Sequence, residues 1–150
     1  RASFGGPAWT WHPGRRQYYL HNVLPEQPDL NFHNPAVQEA ILDVARFWLN
    51  RGVDGFRLDV INYVAHDRLL RDNTVKPTSA SPAATIRFQR QRHNKSQPEA
   101  LAFVARLRAL LDSYGERMAV GEIFDDDMLA RQRAFSDEGR LHTAYSFHLL

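Results

Sequence analysis

The sequence predicts an α/β protein in which helices cover a parallel sheet. Segments with helical apolar spacing alternate with short apolar strands, in the order helix, strand, helix, strand, short helix, strand. A doubly wound sheet and a (β/α)8 barrel both show this alternation. Neither of the first two strands is followed by a glycine-rich phosphate-binding motif, which disfavours the nucleotide-binding version of the doubly wound fold.

The composition is that of a folded domain with a hydrophobic core. The chain has 150 residues, of which 43% are hydrophobic and 11% aromatic, and its formal net charge is +2. These values exclude a disordered or fibrous chain, and the small net charge requires no polyanionic partner. The absence of cysteine excludes disulfides, thiolate metal sites and cysteine nucleophiles. It slightly favours the cytoplasm, while the periplasm and secretion stay open.

Two features of the chain concern its extent. No apolar run approaches the roughly 20 residues that span a membrane, so no membrane partner is predicted. The chain begins at Arg1 without a methionine and stops at Leu150 inside an apolar run. We therefore expect a piece of a longer protein, with no catalytic turnover from these 150 residues alone.

The first helix is predicted to begin at Asn34-Pro35. Asn34 can cap free backbone N–H groups, and proline suits the first helical position. The apolar positions that predict one buried stripe recur at helical spacing: Val37, Ile41, Val44 and Trp48. Gly52 predicts the end of this helix, and a short strand follows within residues 53–60. Before it, residues 1–33 form irregular chain that is rich in aromatic side chains.

The second helix is preceded by a long polar segment over residues 71–95. Loops of that length are usually functional or mobile. The helix is predicted to begin at a capping box, in which Ser96 and Glu99 satisfy each other's backbone donors. Its apolar stripe comprises Leu101, Val104, Leu107, Leu111 and Tyr114. Gly115 ends it, and the remaining predicted elements are a strand at 118–123, a short helix opened by Asp125 to Asp127, and a strand at 143–147.

Charged side chains stand at the carboxyl ends of the first two strands. Arg57 and Asp59 are two residues apart and therefore share a face, where Arg57 can hold Asp59 ionised. A fixed, ionised carboxylate suits a covalent nucleophile. Glu122, beside apolar Ile123 and Phe124, has surroundings that favour the protonated form that a general acid needs. Two such carboxylates fit retaining glycoside hydrolysis if they lie about 5–5.5 Å apart, whereas a structural ion pair and a surface acid are the alternative.

Three motifs carry a resemblance to a known family. Residues 55–62, Gly-Phe-Arg-Leu-Asp-Val-Ile-Asn, resemble the fourth-strand motif of the α-amylase superfamily. Residues 120–123, Val-Gly-Glu-Ile, resemble its fifth-strand motif. Residues 27–31, Gln-Pro-Asp-Leu-Asn, resemble the segment that closes the inserted B domain in the α-glucosidase and oligo-1,6-glucosidase branch. The flanking segments that agree are 18–21, 66–73 and 144–147.

The resemblance implies the fold and the division of the chain. It implies part of a (β/α)8 TIM barrel, about strands four to six with the helices between them, preceded by the end of an inserted B domain. Residues 1–33 would be the end of that inserted domain with its linker, and residues 34–150 the partial catalytic barrel. This chain contains neither the family's strand-three histidine motif nor its strand-seven His-Asp motif. His66-Asp67 is not the strand-seven motif, because it precedes Glu122, whereas the family's third acid follows the residue that matches Glu122. We expect His66-Asp67 to be loop structure.

The resemblance also implies residue roles and a substrate class. Asp59 would be the nucleophile, and Glu122 would be the acid and then the base. Arg57 would orient Asp59 and contact the sugar. Val60 would bear on linkage, since valine at this position is associated with α-1,6 preference and threonine or alanine with α-1,4. Ile123 and Phe124 would line the aglycone side. The implied enzyme is a retaining α-glucosidase that acts on short α-glucosides without an organic cofactor.

Several alternatives remain at this level. A sugar acceptor in place of water gives a transglucosylase or a sucrose isomerase, and loss of activity gives a dead homologue, which the presence of both carboxylates disfavours.

The remaining residues that could bind a ligand are expected to be structural. Trp9, Trp11, Tyr18 and Tyr19 are expected to pack the inserted domain onto the barrel rather than to stack on sugars. A solvated loop is favoured over a nucleic-acid contact for Arg87, Arg90, Arg92, His93 and Lys95. No metal site is predicted, Asp29 and Asn31 are expected to hold a turn, and the oligomeric state is open.

Overall fold

A computed structural model describes residues 2–76 and 89–145. Its elements follow the predicted alternation, with an additional N-terminal hairpin. In chain order they are β1 (Trp9–His12), β2 (Gln17–Leu20), α1 (Pro35–Leu49), β3 (Gly55–Leu58), a 3-10 helix (Ile61–Tyr63), α2 (Pro98–Asp112), β4 (Met118–Glu122), α3 (Met128–Phe135) and β5 (Thr143–Tyr145). Residues 146 and 147 of the predicted last strand and Arg87 of the basic segment lie outside the described residues.

The main sheet is parallel, in the order β3-β4-β5. Gly55 pairs with Met118, and its lack of a side chain allows the close approach, because a Cβ there would overlap the Met118 carbonyl. A Cβ at Gly121 would likewise overlap Leu141 and crowd Ile61. Since all three strands run the same way, their carboxyl ends, and the groups that follow them, meet at one edge.

The hairpin β1–β2 is antiparallel and stands apart from this sheet. Trp11 and Tyr18 pack edge to face across it, with ring centroids 5.1 Å apart. Trp9, Trp11 and Tyr18 stay between 42% and 62% exposed. Tyr19 is partly buried. The expectation that these rings pack the inserted domain onto the barrel stays a prediction.

Helix α1 begins and ends where the sequence predicts. The Asn34 side chain accepts a hydrogen bond from the Ala36 N–H at 3.0 Å, and Gly52 adopts the left-handed conformation, φ +87°, three residues after the helix. The predicted stripe was wrong in part. The buried positions are Leu42, Ala45 and Leu49, whereas Val44 and Trp48 are about half exposed. The helix carries two adjacent apolar faces, and only one of them meets the core.

Helix α2 buries Val104, Leu107 and Leu111 of its predicted stripe, and Leu101 and Tyr114 are partly buried against the core. Phe103 is also buried, which the spacing did not predict. The predicted capping box was wrong. The helix begins at Pro98 after Gln97, and Ser96 lies outside it in the left-handed region, φ +54°. The Ser96 hydroxyl donates to Asp125 instead, 2.5 Å away, because a long-range partner competes with the local one.

Three remaining features of the described residues concern the burial of Lys95, the pairing within the long polar segment and the length of the helices. Lys95 is only 2% exposed, so the expectation of a solvated loop was wrong for this residue. Residues 71–76 and 89–95 meet through a bridge between Val75 and Gln89. Within the described ranges, no helix is long and apolar enough to cross a membrane.

Candidate active site

One guanidinium joins the carboxyl ends of all three parallel strands. Arg57 lies on β3 opposite Val120 of β4, and it forms ion pairs with both Asp59 and Glu122. It also donates to the Tyr145 hydroxyl of β5, at 2.7 Å. The hydrogen bonds to Tyr145 and Asp59 raise the pKa of Arg57 above its ordinary value, so this side chain stays charged. The structure thus brings Asp59 and Glu122 to the same rim of the sheet.

The two carboxylates differ in their access to solvent. The side chain of Asp59 is 74% exposed, whereas that of Glu122 is 15% exposed. Glu122 accepts a second hydrogen bond, at 3.3 Å, from the backbone N–H of Val60. The expected apolar surroundings of Glu122 are therefore replaced by two donors. Asp59 is the accessible group and Glu122 the sheltered one.

The turn after Asp59 is strained. Val60 has φ +31° and ψ +48°, a left-handed conformation that is costly for a β-branched side chain. This turn starts the 3-10 helix and directs the Val60 N–H towards Glu122. Strain of this kind persists only where the surroundings enforce it. Here the strained turn links Asp59 to the N–H group that donates to Glu122.

A cavity of about 1220 Å³ opens at this rim. Its lining includes Asp59, Val60, Glu122 and Phe124 together with the segment that contains Asp29, Leu30 and Phe32. Ligand pockets usually have volumes of about 300–1,000 Å³, so this open cleft has room for a small oligosaccharide.

The cleft-lining segment that contains Asp29 is fixed by short-range hydrogen bonds. Asp29 accepts from the backbone N–H of Asn22 at 3.1 Å and from its side-chain amide. Burial raises the pKa of Asp29 to about 6, although both Asn22 hydrogen bonds act in the opposite direction. Asn31 accepts from the His33 N–H at 3.1 Å. Asp29 and Asn31 therefore hold this turn, as the sequence predicted.

The two residues after Glu122 separate. Phe124 is 43% exposed and lines the cleft. Ile123 is fully buried in the hydrophobic core, so the expectation that it lines the aglycone side was wrong. Side chains alternate along an extended chain, and with Glu122 at the rim its neighbour points the other way.

Two acidic motifs that resemble functional sites have structural partners. Asp67 accepts from the Arg71 side chain, which holds the pKa of Asp67 well below its usual range. Asp127 caps α3 by accepting from the Ala130 N–H at 3.3 Å. Among the described residues, no group of three or more histidine, aspartate or glutamate side chains could hold a metal ion.

Sequence reasoning missed Tyr145 as a member of this site. Its hydroxyl accepts from Arg57, yet 88 residues separate the two. The available signal was its place in the last predicted strand, because neighbouring parallel strands bring their carboxyl ends together.

Known proteins match this chain at the level of the family and of individual relatives. The family described as alpha amylase, catalytic domain, matches residues 1–150. A probable alpha-glucosidase of Rhizobium meliloti is 48% identical over 98% of the chain, which spans 28% of that relative's length. An alpha-glucosidase of Apis mellifera is 40% identical over 74% of the chain, and the matched part is 19% of the length of that relative.

Solved structures also match this chain over nearly its whole length. The alpha-glucosyl transfer enzyme XgtA matches with a TM-score of 0.93 and 52% identity, over all of this chain and 29% of its own. The trehalose-6-phosphate hydrolase of Bacillus licheniformis matches with a TM-score of 0.79 and 30% identity, over 99% of this chain and 25% of its own. The predicted architecture, part of a (β/α)8 barrel, is confirmed. The chain belongs to the alpha-amylase family and lies within its catalytic domain.

Proposed function

We propose that these residues are part of a retaining α-glucosidase that hydrolyses short α-glucosides with α-1,4 or α-1,6 linkages. The observation that carries the proposal is the single guanidinium of Arg57, which gathers Asp59 and Glu122 at the mouth of a sugar-sized cleft. The α-glucosidase relatives support it. In this proposal residues 1–33 are the end of an inserted domain, and residues 34–150 are part of the barrel.

In the first step, Asp59 attacks the anomeric carbon. An Asp59 oxygen forms the new bond to carbon while the glycosidic C–O bond breaks, and Glu122 donates its proton to the leaving oxygen. The exposure of Asp59 and its ion pair with Arg57 suit the nucleophile. Arg57 keeps Asp59 in position and contacts the sugar.

In the second step, Glu122 acts as a base. It takes a proton from water, the water oxygen bonds to the anomeric carbon, and the Asp59 oxygen is released. The hydrogen bonds that Glu122 accepts from Arg57 and the Val60 N–H match its carboxylate form, which is the form this step needs. Two successive inversions at carbon give net retention of configuration.

The direct test uses the full-length protein that carries this chain. With p-nitrophenyl α-glucoside, whose leaving group contributes no glucose, we expect glucose to appear first as its α-anomer, which NMR detects before the anomers equilibrate. First appearance of the β-anomer would contradict a double displacement. Absence of any turnover would favour the dead homologue instead.

A second candidate is glucosyl transfer from the same site. The favouring observation is the 52% identity to an alpha-glucosyl transfer enzyme over the whole chain. The two candidates differ only in whether water or a sugar hydroxyl attacks the intermediate. Product analysis with maltose and with sucrose separates them, because a hydrolase yields free monosaccharides, a transferase yields longer glucosides, and an isomerase yields a rearranged disaccharide.

Val60 is proposed to influence linkage choice, since it follows the nucleophile and lines the cleft. We expect Val60→Thr to shift the ratio of kcat/KM for isomaltose and maltose towards maltose by about tenfold or less. A tenfold change corresponds to about 1.4 kcal/mol, in the lower part of the range of about 1–3 kcal/mol that such a small change is worth in a pocket. Threonine is also β-branched, so the strain at φ +31° is the same in both proteins. An unchanged ratio would remove Val60 from the linkage determinants.

A further inference from the structure

Three loops meet behind the two carboxylates, at the side chain of Asn62. This side chain is fully buried. Its amide nitrogen donates to the carbonyl of Phe124 at 2.9 Å and to the hydroxyl of Ser96 at 3.1 Å. Its amide oxygen accepts from the Phe124 N–H at 3.4 Å. Because Asn62 comes three residues after Asp59 and Phe124 two residues after Glu122, this amide connects the turns that follow the two acids.

Lys95 reinforces the same point. Its ammonium donates to the Phe124 carbonyl at 3.0 Å and lies 5.1 Å and 5.4 Å from the ring centroids of Phe124 and Tyr63. A buried ammonium carries a desolvation cost, which the carbonyl and the two ring faces offset in part.

Ser96 completes the junction. Its hydroxyl donates to Asp125, and its backbone N–H donates to the carbonyl of Asn62 at 2.6 Å. We call Asn62, Lys95, Ser96, Phe124 and Asp125 the loop clasp. The clasp draws its members from the turn after β3, the segment before α2 and the turn after β4, so it fixes all three relative to one another.

On the side of β3 the clasp supports the chain beyond the end of the sheet, whereas on the other side Glu122 pairs with Tyr145 of β5. The β3–β4 ladder ends at the Leu58–Gly121 pair, one residue before Glu122. Beyond the strand, the next connection towards the Asp59 side is the clasp at Phe124. The backbone of Glu122 is thus held by the ladder on one side and by Asn62 and Lys95 on the other.

Resting on the function proposed above, we propose that Asn62 and Lys95 are positioning residues that hold Glu122 within proton-transfer reach of the leaving oxygen. Neither side chain pairs with Asp59 or Glu122 directly, and both act through the Phe124 backbone. A displacement of about 1 Å at a reacting group can lower the rate by about 100-fold. Loosening the clasp should therefore slow the first step for a leaving group that needs the proton of Glu122 more than for a leaving group that departs without a proton.

The test compares two substrates of the full-length protein carrying Lys95→Met or Asn62→Ala. Maltose has a poor leaving oxygen that must be protonated, whereas the fluoride of α-glucosyl fluoride departs without a proton. We expect kcat/KM for maltose to fall by about 10-fold to 100-fold in each variant, while kcat/KM for the fluoride stays near the parent value. Lys95→Met nearly conserves volume, and Asn62→Ala decides the question if Lys95→Met does not fold.

Asn73→Ala is the matched control. Asn73 binds the backbone N–H groups of Arg92 and His93 in the same connecting loop, but it is not part of the clasp. We expect its ratio of maltose to fluoride kcat/KM to equal that of the parent. An equal loss on both substrates in the clasp variants, or no loss on either, would overturn the positioning role. Failure of the parent to cleave either substrate would instead overturn the proposed function.

Discussion

In the full-length protein, Asp59→Asn is expected to lower kcat/KM for maltose by on the order of 10⁴-fold. Glu122→Gln is expected to lower it by about 10²–10⁴-fold. The amide in Asp59→Asn is a far weaker nucleophile than the carboxylate, so the covalent intermediate does not form. Glutamine at position 122 can neither donate the proton to the leaving oxygen nor accept one from water. Steady-state kinetics with maltose measures both effects.

Both replacements conserve shape, so the fold is expected to persist. Asp59 is largely exposed and Glu122 lies at the rim of the sheet, outside the core. The melting temperatures of both variants should therefore stay close to that of the parent protein. Normal rates in either variant would refute the role proposed for that residue. A rate loss that accompanies unfolding would not count as support, which is why circular dichroism accompanies the kinetics.

Arg57→Lys is expected to reduce kcat/KM by about 100-fold, although the positive charge is kept. The planar guanidinium reaches Asp59 with one terminal nitrogen, and Glu122 and the Tyr145 hydroxyl with the other. A lysine ammonium is a single point of charge and does not reproduce that fork. Both carboxylates then lose their fixed separation, and a displacement of about 1 Å is enough for a loss of this size.

Tyr145→Phe serves as the comparison for Arg57→Lys. It removes one acceptor of Arg57 and leaves the two ion pairs in place. A smaller loss than in Arg57→Lys is therefore expected for the same substrate. Full activity of Arg57→Lys would show that charge alone is sufficient and that the geometry of the fork does not matter.

The parts of the fold that local chemistry determines could be predicted from the sequence. Asn34, Gly52 and Gly115 mark helix ends through a side-chain acceptor or a left-handed backbone, and these effects act within a few residues. Helical spacing predicted the buried stripe of α2 and failed in part for α1. Val44 and Trp48 share the spacing of a buried face, but spacing does not say which of two adjacent apolar faces meets the core.

Contacts between distant segments limited the prediction of the site. The two-residue spacing of Arg57 and Asp59 predicted their pairing, because both lie on one face of an extended chain. The partners of Ser96 and Lys95 are about 30 residues away, so local patterns assigned them to a capping box and a solvated loop. Ile123 was misplaced because its neighbours in sequence do not reveal that it belongs to the core.

The central claim is that Asp59 forms a covalent bond to the sugar while Glu122 handles the proton. The most direct measurement uses the Glu122→Gln variant of the full-length protein with α-glucosyl fluoride. Fluoride leaves without protonation, whereas release of the sugar needs the missing base, so the intermediate should accumulate. After acid quenching and digestion, mass spectrometry should find one glucosyl group on the peptide that contains Asp59. A glucosyl group on another residue, or continued turnover with no labelled peptide, would contradict the account.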